Sequence, residues 1–234
     1  MFESDESYQN SDHRDHLKIL DEMLVIDNVI SEHHQNYIEQ LCFGHKFPWF
    51  YNFDPTFPDR VSERGTTFSS LLLSKGTKSE YFQIFLPIAF NVYNTLNLQD
   101  ASIFNCRAFL HIKNESKLED RRDQLHVDQD FPHLAMIYYV NDADGPTEIL
   151  NEGKIIKRVD PKKGRLLIFD GQFEHRSTHP QHNDRCIINF NLDPIPNSNY
   201  NMVEANHEKV ESNSDGMRIK VPQNTKKTVT LAVD

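Results

Sequence analysis

Between Ala101 and Leu192 the chain breaks into short apolar runs, rich in β-branched and aromatic side chains and separated by Asp, Asn, Gly and Pro. The runs are Ile103 to Ile112, Gln124 to Val127, Leu134 to Val140, Thr147 to Leu150, Lys154 to Val159, Arg165 to Phe169 and Arg185 to Leu192. Their length and hairpin-like spacing predict antiparallel β-structure. Strands in such number cannot lie flat in water, because each has an apolar face to bury. Two packed layers or a rolled barrel satisfy that need, so a sandwich or barrel is expected.

Upstream the pattern is different. The segment Leu17 to Ile30 alternates well enough for an incoming strand, and Ser31 then stands as the N-cap of a helix through Cys42. Apolar residues recur at helical spacing from Ser79 to Leu96, which predicts a second helix with a kink or break at Pro87. Phe43 to Arg64 holds Pro48, Pro55 and Pro58 without any period and reads as a long loop, either a lid over a site or a packed surface plug. Helices first and strands after place the helices against one face of the sheet structure. The expected organisation is a polar N-terminus over 1–16, one folded domain over 17–195 and a polar C-terminal extension over 196–234.

Composition narrows the function classes. The chain has 35 acidic against 25 basic residues, a formal net charge of −10, and its basic clusters are short. A general nucleic-acid-binding role is therefore disfavoured. No run reaches the roughly 18 apolar residues of a membrane span, and acids stand where a signal peptide carries bases, so a soluble cytoplasmic protein without membrane partners is expected. Cys42, Cys106 and Cys186 are widely spaced and odd in number, which predicts buried free thiols rather than disulfides or structural zinc.

One constellation within the β half carries chemistry. His126 and Asp128 stand two residues apart, and on a strand that spacing directs both side chains to one face. His175 follows the apolar run Arg165 to Phe169 and the turn Asp170-Gly171, from where it could return to the same mouth. Two histidines and a carboxylate make the facial triad suited to non-haem Fe(II), with three coordination positions left open. Arg185 opens the last apolar run, and its guanidinium could point inward to grip a carboxylate with two hydrogen bonds. The competing readings are a polar outward face for His126 and Asp128, and a strand-end ion pair for Arg185. Zinc held by His175 and His179 at helical spacing is disfavoured by Pro180 and by the lack of an HExxH motif.

These pieces occur in a familiar order: His126-Val127-Asp128, Ile137-Tyr138-Tyr139-Val140-Asn141, Gly145-Pro146-Thr147, Gly164-Arg165-Leu166-Leu167-Ile168-Phe169, His175-Arg176-Ser177, and Arg185 with Ile188-Asn189-Phe190. From Arg107 to Leu192 the chain resembles the Fe(II)/2-oxoglutarate oxygenase superfamily, in particular its prolyl-hydroxylase-like branch, which includes short members encoded by marine bacteriophages. The resemblance implies a mainly β double-stranded β-helix (jelly roll) with N-terminal helices packed on the major sheet. It implies His126, Asp128 and His175 as iron ligands and Arg185 as the partner of the distal carboxylate of 2-oxoglutarate. Tyr139 and His111 are further candidates for contact with 2-oxoglutarate, against simple sheet packing for each. Pro146 replaces the usual glycine and leaves the orientation of Thr147 open.

The implied cofactors are Fe(II), 2-oxoglutarate and O2, with ascorbate as an accessory reductant. The implied reaction is hydroxylation of a prolyl residue in a protein or peptide, with release of succinate and CO2; a small-molecule or free amino-acid substrate, or a non-catalytic binding module of the same shape, are the alternatives. Substrate recognition is expected from the loops Phe43 to Arg64 and Asn114 to Gln124. Asp130, Arg176 and Trp49 are substrate-contact candidates whose competing reading is structural.

Overall fold

A computed structural model describes residues 23–51, 66–96, 98, 101–117 and 121–193. Both expected domain boundaries, residues 17–22 of the incoming strand and residues 52–65 of the long loop lie outside the described residues. Helix α1 (Glu32–Cys42) begins as its sequence dictates: Ser31 is the N-cap, and its hydroxyl accepts from the His34 backbone N–H. Helix α2 (Phe82–Leu96) buries Phe82, Phe85, Ile88, Ala89 and Val92, spaced three or four residues apart along one face. Pro87 lies inside α2 without breaking it, since it removes one helical N–H while the flanking apolar residues stay anchored in the core.

Eleven strands follow in chain order among the described residues. They are β1 (Leu24–Ile26), β2 (Phe50–Tyr51), β3 (Thr67–Ser74), β4 (Thr77–Lys78), β5 (Ser102–His111), β6 (Leu134–Tyr139), β7 (Thr147–Asn151), β8 (Lys154–Val159), β9 (Leu166–Asp170), β10 (Glu174–Ser177) and β11 (Arg185–Asp193). The major sheet runs β1-β9-β6-β11-β5-β3-β2 with β4 on β3, and a minor sheet runs β10-β7-β8; every pairing is antiparallel.

Alternation along the strands serves two cores. One face of the major sheet sends Cys106, Ala108, Met136, Tyr138, Ile168, Ile188 and Phe190 against Ile38, Phe85, Ile88 and Val92 of the helices. The opposite face sends Ala135, Ile137, Tyr139, Leu167, Phe169 and Ile187 toward Ile149 and Val159 of the minor sheet. The fold is thus the mainly β double-stranded β-helix with helices on the major sheet. All three cysteines are free and buried.

Two expectations need correction, and one strand was not foreseen. Residues Thr67–Ser74 form a full strand inserted between β5 and β2, although the three serines and the Leu71-Leu72-Leu73 run hid its alternation. The expected strand Gln124 to Val127 does not form; only isolated bridges occur, Arg122 to Thr178 and His126 to His175. The chain advances four residues between those bridges while its partner advances three, so no continuous ladder can run between them. Phe50 and Tyr51, within the expected loop, pair with β3. The β7–β8 hairpin closes through Glu152 and Gly153 with φ of 49° and 75°, the two successive positive values that a two-residue hairpin loop requires.

Phe85 is fully buried between α2 and the major sheet. Phe85→Ala should cost about 3–5 kcal/mol of stability, because the cavity cannot close against a paired sheet. A urea midpoint lowered at unchanged slope checks this.

Candidate metal centre

The triad is assembled by the minor sheet and the irregular segment beside it. His175 lies on β10 opposite Ile149 of β7, on the side facing the major sheet. His126 exchanges two backbone hydrogen bonds with His175, at 3.1 and 2.9 Å, which stacks their imidazoles with ring centroids 4.6 Å apart. Two residues on, Asp128 turns back toward both. The donor atoms of His126, Asp128 and His175 all lie within 4.8 Å of one another.

The ring orientations are dictated by neighbours that can only accept. His126 Nδ1 is 3.0 Å from the carbonyl oxygen of Gln124, and His175 Nδ1 is 3.2 Å from that of Phe173. A carbonyl cannot donate, so each Nδ1 carries a proton and each ring turns its Nε2 inward. Those Nε2 atoms face Asp128 Oδ1 at 3.6 and 3.7 Å, too long for good hydrogen bonds. Two imidazole nitrogens and a carboxylate converging on one point suit a divalent cation, and three donors on one side leave the rest of its sphere open. Burial alone would raise the Asp128 carboxyl, but the adjacent His175, Asn189 and His126 outweigh it and hold it well below the usual carboxylate range. Asn189, on β11, donates its amide to Asp128 Oδ2 at 2.9 Å and so fixes the oxygen that does not face the imidazoles.

Arg185 is fully buried at the start of β11. Its Nη1 donates to Ser177 Oγ at 3.0 Å and to His111 Nδ1 at 3.3 Å, while Nη2 donates to Thr147 Oγ1 at 2.8 Å. Its Nε–H is buried with no partner among the described residues. The Nη1 end is thus pinned, and the Nε–Nη2 edge retains donors for a carboxylate. Tyr139 lies beneath the guanidinium at 5.6 Å and donates its hydroxyl to the same Thr147 Oγ1. The orientation of Thr147, open in the sequence because of Pro146, is inward. His111 ends β5, directly opposite Arg185 in the ladder, and bonds to Arg185 itself.

Spacing relates the two sites. His175 and Ser177 are alternate residues of β10, so their side chains share a face about 7 Å apart. One belongs to the triad and the other holds Arg185, a separation that a five-carbon diacid can span. The apolar Ile137, Ile149, Leu167, Phe169 and Ile187 form a buried cluster between the two sheets, and Phe169 meets the His175 ring edge to face at 5.0 Å.

Other candidates are bound elsewhere. Arg176 pairs with the buried Glu148 at 2.8 Å, together with Arg122. The Trp49 indole donates to the Cys42 carbonyl at the end of α1, and Asp130 is exposed. The sequence reading gave Asp123 no role, weighed His179 only as a disfavoured zinc partner of His175, and named Ser177 and Asn189 only within the matching pieces. Asn189 had a legible signal, since it is four residues beyond Arg185 on one strand and hence on the same face. Asp123 and His179 had none, because nothing local brings their segments together. His179 sits with His111 and Asp123 rather than with His175.

Burial pushes His111 down from 6.5 to about 4, although Asp123 pulls it the other way. An unfolded chain therefore binds this proton at higher pH than the folded one. The stability due to the neutral ring is complete above about 6.5 and is lost as pH falls toward about 4. Urea midpoints measured across that window should show a shallower pH slope in His111→Phe than in wild type.

No family model and no curated protein sequence matches the chain. Solved structures do. A 2OG-Fe(II) oxygenase family oxidoreductase from Burkholderia pseudomallei superposes with a TM-score of 0.58 at 11% identity, over 77% of this chain and 90% of that one. A prolyl hydroxylase from Trichoplax adhaerens, in complex with a hypoxia inducible factor oxygen degradation domain peptide fragment, gives 0.55 at 14% identity, over 77% and 91%. The non-heme alpha ketoglutarate dependent epimerase SnoN from nogalamycin biosynthesis gives 0.50 at 14% identity, over 73% and 77%. The chain has the fold shared by these structures, a 2OG-Fe(II) oxygenase family member and a prolyl hydroxylase among them.

Proposed function

We propose that this chain is a 2-oxoglutarate- and Fe(II)-dependent dioxygenase that hydroxylates an unactivated C–H bond, with a prolyl residue of a protein or peptide as its substrate. One observation carries the reading: His126 and His175 have their Nδ1 protons committed to carbonyls and turn Nε2 toward the Asp128 carboxylate, with all three donor atoms within 4.8 Å of one another. At 3.6 and 3.7 Å the Nε2–Oδ1 separations are too long for good hydrogen bonds, whereas a divalent cation among the three donors would satisfy them. When bound, Fe(II) with 2-oxoglutarate and O2 supplies the oxidising chemistry, in which the keto acid is converted to succinate and CO2.

The residues of the chain have separable tasks in this reading. His126, Asp128 and His175 hold the metal on one side. Asn189 keeps the Asp128 carboxylate from rotating. Arg185 and Thr147 receive the distal carboxylate, whose desolvation a fixed buried cation can offset. The apolar lining excludes water from the space between. The prolyl substrate is supported by the sequence resemblance and by the backbone likeness to the peptide-bound prolyl hydroxylase. The likeness to SnoN, an epimerase, keeps a small-molecule substrate as the second reading.

Anaerobic addition of Fe(II) and 2-oxoglutarate should produce a weak visible charge-transfer band, and His126→Ala should abolish it. Arg185→Ala should weaken 2-oxoglutarate binding by about tenfold to a hundredfold, the worth of a charge-assisted pair. A wild-type protein that binds Fe(II) but shows no band would count decisively against the assignment. Succinate release with a proline-containing peptide library, set against free amino acids, separates the two substrate classes.

A further inference from the structure

A second group of two histidines and one carboxylate, His111, Asp123 and His179, lies beside Arg185 and outside the triad. His111 Nε2 is 3.6 Å from Asp123 Oδ2, His179 Nε2 is 3.3 Å from Asp123 Oδ1, and the two rings meet edge to face at 5.0 Å. The donor composition copies that of the metal centre, but the proton arrangement at His111 is reversed. Its Nδ1 faces Nη1 of Arg185 at 3.3 Å, and a guanidinium has no lone pair to offer. His111 Nδ1 must therefore accept, which puts the ring proton on Nε2, pointing at Asp123. Where His126 and His175 donate through Nδ1, His111 accepts there.

We propose that Asp123 and His111 form a positioning relay for 2-oxoglutarate binding: the Asp123 carboxylate, 3.6 Å from His111 Nε2, electrostatically favours the ring proton on that nitrogen, and this tautomer leaves the Nδ1 lone pair to hold Nη1 of Arg185. The proposal rests on the oxygenase reading and deepens it, assigning to Asp123 a role in co-substrate affinity with no contact to the co-substrate. Its physical logic is an entropy and orientation argument. An arginine held at one end by Ser177 and His111 needs no reordering to present its other edge. With the opposite tautomer, two N–H groups would confront each other and the guanidinium would swing away.

Three further contacts fit this role. Asp123 is fixed by its own backbone, whose N–H donates to the Ser177 carbonyl at 2.9 Å, and Ser177 is the other anchor of Arg185. His179 Nε2 lies against the second carboxylate oxygen and 3.4 Å from Thr67 Oγ1. Its Nδ1 lies 3.5 Å from the carbonyl of Ile112. Asp123 thereby sits between β10, through Ser177, and His111 at the end of β5.

The test uses the full chain loaded anaerobically with Fe(II), titrated with 2-oxoglutarate and separately with 2-oxobutyrate, which keeps the chelating keto acid and lacks the distal carboxylate. Asp123→Ala and His111→Phe should each raise the 2-oxoglutarate dissociation constant by about tenfold while leaving that of 2-oxobutyrate within about twofold, since the loss acts through Arg185. Asp123→Asn, whose amide oxygen still faces the Nε2–H, should retain most of the affinity. Because His111→Phe conserves a buried ring, it remains informative should Asp123→Ala fold poorly. Unchanged 2-oxoglutarate affinity in both variants overturns the relay, as does a parallel loss for the two keto acids. A second equivalent of Fe(II) that persists in His126→Ala and disappears in His179→Ala also overturns it, because His111 Nε2 would then be a ligand rather than a donor. Absence of keto-acid binding in wild type is a different failure, that of the oxygenase reading itself.

Discussion

Strand β11 is paired along its length with β5 on one side and largely with β6 on the other, and every feature of the site depends on its position. Its residues alternate between two cores. Cys186, Ile188, Phe190 and Leu192 face the helices, while Arg185, Ile187, Asn189 and Asn191 face the minor sheet. A slip of one residue would put a guanidinium into the helix-facing core and leucine-sized side chains into the site, so register is specified from both faces at once. The helices, although remote from the triad, thereby fix where Arg185 and Asn189 point.

The interior between the sheets is unusually polar for a core, and its polar groups are matched through local rules. Hydrogen bonds to backbone carbonyls set the His126 and His175 rings. A hydrogen bond from a guanidinium sets His111 in the opposite sense. His111 thus differs from the triad histidines in the atom behind its ring, accepting at Nδ1 where His126 and His175 donate. Burying polar groups without partners would cost several kcal/mol each, so these bonds offset part of the cost of enclosing the rings.

Much of this was legible in the sequence, for identifiable reasons. The turn-bounded apolar runs gave most strands, Ser31 gave the start of α1, and the inward side of β11 followed from alternation. Thr67–Ser74 was missed because its serines mask a strand whose partner lies over thirty residues away. The segment holding His126 and Asp128 looked like a strand because its composition is that of one, but its two bridges to β10 are out of step. Trp49 and Arg176 were legible only as polar-capable residues; which partners they meet depends on α1 and on Glu148.

The sequence by itself determined which residue types were available and which of them shared a strand face, because a period of two is a local property of the backbone. It could name His126, Asp128, His175 and Arg185 as a set. Only the tertiary structure decided that Asp123 and His179 join His111 behind Arg185, that Ser177 and Thr147 pin the guanidinium, and that His111 accepts at Nδ1 where His126 and His175 donate. Those outcomes depend on pairings between segments up to seventy-four residues apart, as His111 and Arg185 are. No local rule carries information over that distance.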